Sequence, residues 1–594
     1  MSTTDTPPES TPDAGYEEQQ EHLVPNRAAY WPVLGPAGAL ILVFVAIAAI
    51  RPIWFGEQLD AISTVVVNSV GWYYVLLVAA FVVFSLWMGL SRFGDVKLGH
   101  DDEEPEYGLF SWFAMLFAAG MGIGLVFWGV AEPLNHLASP PPGSPTMEAN
   151  AGVAAQNAMA TTFLHWGLHA WSIYVVVGLA VAYAVHRKGR PVSIRWALEP
   201  IFGDRVKGWV GDAVDVVAVV GTLFGVATSL GFGVSQLAAG LSHVGLVEQA
   251  GIGLLLALTA GISGLALISV VSGLDVGIKW LSNGNLVLAG ILLVALLVLG
   301  PTLFILREFV QNVGVYIADF IKMSFRTLPY QGVDGESWLG AWTTYYWGWW
   351  ISWSPFVGIF IARISRGRTV REFILGVLLA PTLLTFIWFT ILGGSAVYEQ
   401  LFGAGDLIAA DGSVDTEASL FQLLSTMPGY GILAGLFLLV IVVFFVTSSD
   451  SGSFVVSMLS AGGDPQPHVA IRVFYGVLQG AIAGVLLWVG HSVGNLDSGL
   501  AALQTMAILV AAPFTLIMIA MCLSTARALA AEHRLTLRLE RAALRRELAL
   551  DIAEGNVVDG RWVADGESRS RLTGRPRKIE QRTGRATDAP PETT

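Results

Sequence analysis

Phe117-Ala118-Ala119-Gly120-Met121-Gly122-Ile123-Gly124 stands inside an apolar run long enough to cross a bilayer. Three glycines at alternate positions cost roughly 1 kcal/mol each against alanine in a helix interior. Two readings stay open. The glycines pack one helix closely on another, as small-xxx-small contacts do. Alternatively, the helix unwinds at membrane depth, where bare carbonyls and amides face a polar cavity. Secondary transporters bind substrate and ions on such discontinuous helices near the midplane. Non-helical backbone in lipid is tolerated only where it is buried in protein or faces water. Either way the segment belongs to an all-α membrane protein.

The rest of the chain agrees. Of 594 residues, 54% are hydrophobic and 13% charged, where soluble domains carry about 25% charged residues. Apolar segments fall near 30–50, 70–91, 109–131, 158–185, 209–242, 249–272, 281–306, 337–362, 371–395, 430–459, 468–490 and 497–523. Lys and Arg gather in alternate loops. Arg187, Lys188, Arg190, Arg195, Arg205 and Lys207 follow the fourth segment, and Arg363, Arg366, Arg368 and Arg371 follow the eighth. Loops 132–157, 243–248, 396–429 and 491–496 have none. This bias predicts twelve spans in the plasma membrane with both termini cytoplasmic. The connection 307–336 carries Arg307, Lys322 and Arg326 on the outer side. Its Phe309, Val313, Tyr316, Ile317, Phe320 and Ile321 recur at helical spacing and predict an amphipathic interfacial helix in contact with lipid.

The tails stand apart. Residues 1–29 are acidic and Pro/Glu-rich, lack an apolar signal core and read as disordered. Residues 526–549 alternate Arg, Leu, Glu and Ala and read as a cytoplasmic helix; from 555 on the chain reads as disordered. The C-terminal tail, 524–594, is either simply solvated or a basic segment that binds anionic lipid. The net charge of −13 carries no argument about nucleic acid, and no such partner is expected. The lone Cys522 excludes an intramolecular disulfide. No HExxH or P-loop is visible, which argues against an enzyme.

Trp347-Gly348-Trp349-Trp350-Ile351-Ser352-Trp353 holds more indole than a lipid-facing helix needs. Trp349, Trp350 and Trp353 fall near one helical face, at i,i+3 and i,i+4 spacing. Indole faces hold cations, and quaternary ammonium groups are their usual guest. In span 4, Trp171 and Tyr174 are i,i+3, and Trp166 and Tyr174 lie about 80° apart on a continuous helix. Either these rings belong to the interfacial belt or they complete the cage. His165 and His169 are i,i+4, yet no third ligand or Glu motif accompanies them, which argues against zinc. In span 10, the hydroxyls of Thr447 and Ser448 either bond their own i−4 carbonyls or offer hard oxygens to an alkali cation. Asp450 is either functional, as intramembrane acids are by default, or a cytoplasmic cap. Asp212 and Asp215 read as helix N-terminal acids.

Together these segments resemble the betaine/carnitine/choline transporter family. The matching residues are Ala118 to Gly124 (AAGMGIG), His165 to Tyr174 (HWGLHAWSIY), Trp349 to Phe356 (WWISWSPF), Ala362 to Arg368 (ARISRGR) and Thr447 to Asp450 (TSSD). The resemblance covers roughly residues 30–523. It implies twelve helices: two peripheral ones in 30–108, then two inverted five-helix repeats, 109–306 and 337–523, as in sodium/amino-acid symporters. It also implies a homotrimer. Trp166, Trp171, Tyr174 and Trp350 would box the trimethylammonium group, with Trp349 and Trp353 on the permeation path. Ala119, Met121 and Gly124 would face the substrate from the unwound strip. Ala118, Met121 and Phe444 carbonyls and the Thr447 and Ser448 hydroxyls would hold a sodium ion, the only cofactor-like species expected.

There are departures. Of the second sodium site, Thr222 matches, but its partners fall on Val226 and Ala507, which cannot ligate through side chains. Thr228 or Ser229 would substitute only from elsewhere on the helix. One sodium ion is therefore expected, with Thr222 marking where a second would stand. Gly124, where choline carriers tend to be acidic, leaves the pocket neutral and suits a zwitterion. The expectation is sodium-driven import of glycine betaine or a similar compatible solute. A sodium-independent exchanger of carnitine or betaine, and an osmosensor without transport, are the alternatives.

Overall fold

The computed structural model describes residues 29–553 apart from 121, 273–274 and 495–496, together with 557–558 and 561–562. Within these, side chains are described except at 117–120, 272, 275–281, 497–500, 551, 553, 557–558 and 561–562. The acidic N-terminal tail, and the C-terminal tail beyond the last helix, otherwise lie outside the described residues. The helices are α1 (Trp31–Ile50), α2 (Pro52–Leu90), α3 (Leu109–Gly120), α4 (Ile123–Ala138), α5 (Met147–Trp166), α6 (Leu168–Ala182), α7 (Trp209–His243), α8 (Ile252–Ser272) and α9 (Asp275–Leu299). They continue with α10 (Thr302–Ser324), α11 (Gly332–Leu339), α12 (Tyr345–Arg363), α13 (Val370–Phe402), α14 (Ser419–Ser425), α15 (Tyr430–Ser460), α16 (Val469–Val493) and α17 (Asp497–Ala553).

Among the described residues ten helices are long and apolar enough to span a membrane, with α5 and α6 counted together. The protein is therefore a helical, multi-pass membrane protein. The chain divides into two compact units, Met1–Ala530 and Ala531–Thr594. In the second, a hairpin pairs Val557–Val558 with Arg561–Trp562, where composition alone predicts disorder.

Spans 3 and 4 are both interrupted. α3 stops at Gly120 and α4 starts at Ile123, with Gly122 extended at φ −143°, ψ −133°. The glycine cluster thus breaks the helix rather than merely packing it. Span 4 breaks at Gly167 (φ −96°, ψ −138°), so the 80° separation expected for Trp166 and Tyr174 on a continuous helix does not apply. α4 also runs past the expected end of its span to Ala138, which brings Glu132 and His136 into the interior.

α12 lies at the centre, packed between α6, α7 and α17. Glycines let the backbones meet there. A Cβ on Gly358 would stand 3.1 Å from Gly178 N, and one on Gly348 would stand 2.8 Å from Ile508 Cα. The Ala362–Arg368 motif leads into a short backbone clamp. Leu98 N donates to Arg368 O and Gly367 N to Leu98 O, both at 2.8 Å, while the Arg368 guanidinium lies 4.0 Å above Trp112.

α10 begins at Thr302, just after Pro301, earlier than expected. Glu308, Asn312 and Tyr316 are buried, whereas Ile317 and Ile321 are each 69% exposed. Glu308 presses on Gly394 of α13, where a Cβ would have no room. Burial pushes its carboxyl up to about 8, an effect that Asn312 partly offsets.

Candidate functional site

The Gly167 break turns two halves of span 4 toward α12. It also frees carbonyls that a continuous helix would use internally. Trp350 Nε1 donates to His165 O at 2.9 Å, and Thr385 Oγ1 donates to Trp166 O at 3.2 Å. The side chains expected to box an ammonium group form a continuous run of rings. Trp166 meets Trp350 edge-on at 4.9 Å and 74°. Trp350 meets Tyr174 at 6.3 Å and 75°, and Tyr174 meets Trp171 at 5.4 Å and 80°. All four are buried. Among the described residues, Trp171 Nε1 and Tyr174 Oη are buried donors without a hydrogen-bond partner.

Trp349 stacks on Trp350 at 4.5 Å and 15° and faces Trp166 at 6.1 Å. Trp353 does not join them. Its ring partner is Phe356 at 5.6 Å, and it abuts Gly225 of α7. Trp349, Trp350 and Trp353 therefore serve two places, although Gly225 touches both groups: Trp349 Nε1 donates to its carbonyl at 3.4 Å, and Trp353 lies against its Cα. Gly124, at the start of α4, lies directly under the rings. A Cβ there would stand 2.7 Å from Trp349 Cη2 and 3.0 Å from Trp166 Cη2.

The same break meets α15. A Cβ on Gly122 would lie 3.2 Å from Ser448 Oγ. Thr447 Oγ1 donates to Val443 O at 2.9 Å and to Phe444 O at 3.2 Å. This back-bonding commits the hydroxyl proton and leaves the oxygen lone pairs free to ligate. Thus Ser448 stands beside the interrupted third span, one residue after Thr447. Ala118 and Ala119 belong to the last turn of α3, but their side chains, and Met121 entirely, lie outside the described residues. At the second position, the Thr222 hydroxyl is buried without a partner among the described residues, and Val226 and Ala507 are fully buried. Thr228 reaches toward the last span after all: its hydroxyl donates to Phe224 O at 2.9 Å and Leu503 O at 3.3 Å. Ser229 donates to Gly225 O at 3.3 Å.

Sequence reasoning missed a hub behind the cage. Glu132 is fully buried. Its Oε2 accepts from Trp166 Nε1 at 2.6 Å and from the Tyr346 hydroxyl, while Oε1 lies 2.8 Å from His165 Nδ1 and 3.2 Å from His136 Nε2. The available signal was an acid and a histidine at i,i+4 directly after an apolar run. His165 and His169 do not converge, since His169 Nε2 pairs with Ser324 Oγ at 2.9 Å. Asp450 faces Arg472 of α16 at 3.5 Å. Asp212 and Asp215 do more than sit at a helix start. They hold Arg195 at 2.8 and 2.5 Å, and Tyr30 donates to Asp212 at 2.9 Å. A cavity of about 950 Å³ opens next to Trp128 and Trp342, walled by Asn135, Asp415 and Gln504 among others.

Interrupted spans converging on a buried indole cluster, with a hydroxyl-bearing helix beside the break, are the build of a membrane transporter. The chain belongs to the betaine/carnitine/choline family of transporters, whose family model matches residues 32–534. It is similar to the glycine betaine transporter OpuD of Bacillus subtilis, at 45% identity over 83% of this chain and 94% of that one. A glycine betaine transporter of Acinetobacter baylyi is 42% identical over 82% of this chain and 72% of its own. An uncharacterized transporter of Mycobacterium tuberculosis is 50% identical over 83% of this chain and 81% of its own.

Proposed function

We propose that this protein imports glycine betaine, or a zwitterion much like it, by sodium symport through alternating access. The observation that carries the reading is the ring run Trp166–Trp350–Tyr174–Trp171 beside the α3/α4 break. Orthogonal indoles present negative faces to a methylated ammonium. The unpartnered donors Trp171 Nε1 and Tyr174 Oη suit a carboxylate on the same molecule. A zwitterion satisfies both ends, whereas a bare cation satisfies one. Trp349 and Trp353 would then line the path on either side of Gly225, and Ala119, Met121 and Gly124 would face the substrate.

Sodium is cargo here. Carbonyls of Ala118, Met121 and Phe444 with the hydroxyls of Thr447 and Ser448 would hold it, and the ion would order the interrupted strip against α15. One ion per cycle fits Val226 and Ala507, which bring no side-chain oxygen to the Thr222 position. The proposal includes twelve spans, obtained by adding the α3/α4 pair and α12 to the ten long helices. It further includes two inverted five-helix repeats, a homotrimer, and cytoplasmic termini in the plasma membrane.

Uptake of labelled glycine betaine into proteoliposomes tests the reading. An inward sodium gradient drives accumulation, and replacement by potassium abolishes it. Equal uptake in both would instead support the second reading, sodium-independent exchange, which the buried Val226 and Ala507 favour.

A further inference from the structure

The Glu132 hub carries a second chemistry. We propose that Glu132, His136 and His165 form a binding site for a divalent transition-metal ion of the zinc class, and that its occupancy arrests transport. Two imidazoles and one carboxylate are a recurrent zinc donor set. The three donor atoms all lie within 4.8 Å of one another, and all three residues are buried. Glu132 Oε1 is 3.2 Å from His136 Nε2 and 2.8 Å from His165 Nδ1. Zinc bonds of about 2.0–2.1 Å give a tetrahedral edge of about 3.3 Å, so small side-chain shifts close the site.

The surroundings are those that orient metal ligands. His165 Nε2 lies 3.0 Å from Thr343 Oγ1, and its ring stacks on Tyr346 at 4.6 Å and 18°. His136 packs on Trp342 at 4.4 Å and Trp338 at 5.6 Å, and its Nδ1 is buried without a partner among the described residues. The remaining carboxylate oxygen is fixed by Trp166 and Tyr346.

Proton balance is simple. Each ring nitrogen facing Glu132 gives up its hydrogen and binds the ion through its lone pair. The proton reappears on the other nitrogen of the same ring, where His165 then donates to Thr343 Oγ1 and His136 is protonated at Nδ1. No proton is released. The ion arrives from the 950 Å³ cavity, from which His136 is separated by one indole, Trp342. Once bound, it ties α4 to α5 and immobilises the carboxylate that holds Trp166. The arrest rests on the transport reading; the binding does not.

Zinc titration of tag-free purified protein against a chromogenic chelator tests the site. One ion per chain binds, and His136→Gln weakens it at least tenfold. His169→Gln, whose ring pairs outside the trio, leaves affinity unchanged and controls for adventitious imidazoles. Equal affinity in wild type and His136→Gln, or binding only at surface-type affinity in all three, overturns the site. In proteoliposomes, external zinc stops wild-type uptake, a chelator restores it, and His136→Gln keeps its own metal-free rate. Stoichiometric binding with undiminished uptake overturns the arrest. Absence of metal-free uptake refutes the transport reading while the titration still decides the site.

Discussion

Gly124→Ala probes the cage with a single methyl group. The added Cβ stands 2.7 Å from Trp349 Cη2 and 3.0 Å from Trp166 Cη2, where ordinary contact starts at 3.4 Å. The rings must therefore yield about 0.7 and 0.4 Å. Neither is free to swing. Trp349 is stacked on Trp350 at 4.5 Å and on Tyr345 at 5.7 Å, and Trp166 is pinned to Glu132 at 2.6 Å. Overpacking of this kind costs typically about 1–3 kcal/mol. If the strain falls on the cage, glycine betaine affinity drops about 5- to 150-fold, at about 1.4 kcal/mol per factor of ten. Isothermal titration of purified protein reads the change. Gly264→Ala is the control, because nothing lies within 4 Å of its Cβ position; there the helix gains propensity and binding is unaltered. Wild-type affinity and wild-type thermal stability in Gly124→Ala would refute the packing argument.

Further outcomes follow from the same geometry. Thr447→Ala removes one proposed sodium ligand, so the sodium concentration for half-maximal uptake rises at least tenfold while surface expression persists; an unshifted sodium curve counts against the site. Arg195→Ala leaves Asp215 buried and unpaired beside Asp212, which costs about 3–5 kcal/mol and lowers the thermal transition of the purified protein. A transition unchanged within error would mean the cluster is dispensable. Docking of α10 depends on pH through Glu308, whose carboxyl is held up to about 8 by burial. The raised value means the docked state retains its proton. Stabilisation is therefore complete below the ordinary carboxylate range and is lost as pH rises through about 8. Protection factors in α10, normalised for the base-catalysed intrinsic exchange rate, should be higher at acidic than at alkaline pH, and Glu308→Gln should erase the difference.

The break in span 3 was legible because a glycine cluster is expensive in a helix and needs a reason. The break at Gly167 was not, since a lone glycine between His165-Trp166 and Leu168 costs little in an uninterrupted helix. The cage residues could be chosen from ring chemistry and resemblance, yet their meeting depends on Gly167 and Gly124, which no periodicity reveals. Glu132 escaped because hydropathy ends a span at the first acid, whereas α4 continues with that acid turned inward and four groups around it. In α10 the apolar stripe was legible, and Ile317 and Ile321 lie exposed, whereas the burial of Glu308 against Gly394 depends on a distant segment. Trp353 packs on Phe356 and Gly225 rather than in the indole stack, through contacts that include a distant segment.

The claim that indole faces hold the substrate is met most directly by glycine betaine titration of Trp350→Leu and Trp72→Leu. Trp350 is buried in the ring run, whereas Trp72 is 56% exposed on α2. A desolvated cation–π contact contributes about 2 kcal/mol. Trp350→Leu should accordingly weaken binding roughly 30-fold and Trp72→Leu not at all. Undiminished binding in Trp350→Leu, or the same loss in both variants, would contradict the account.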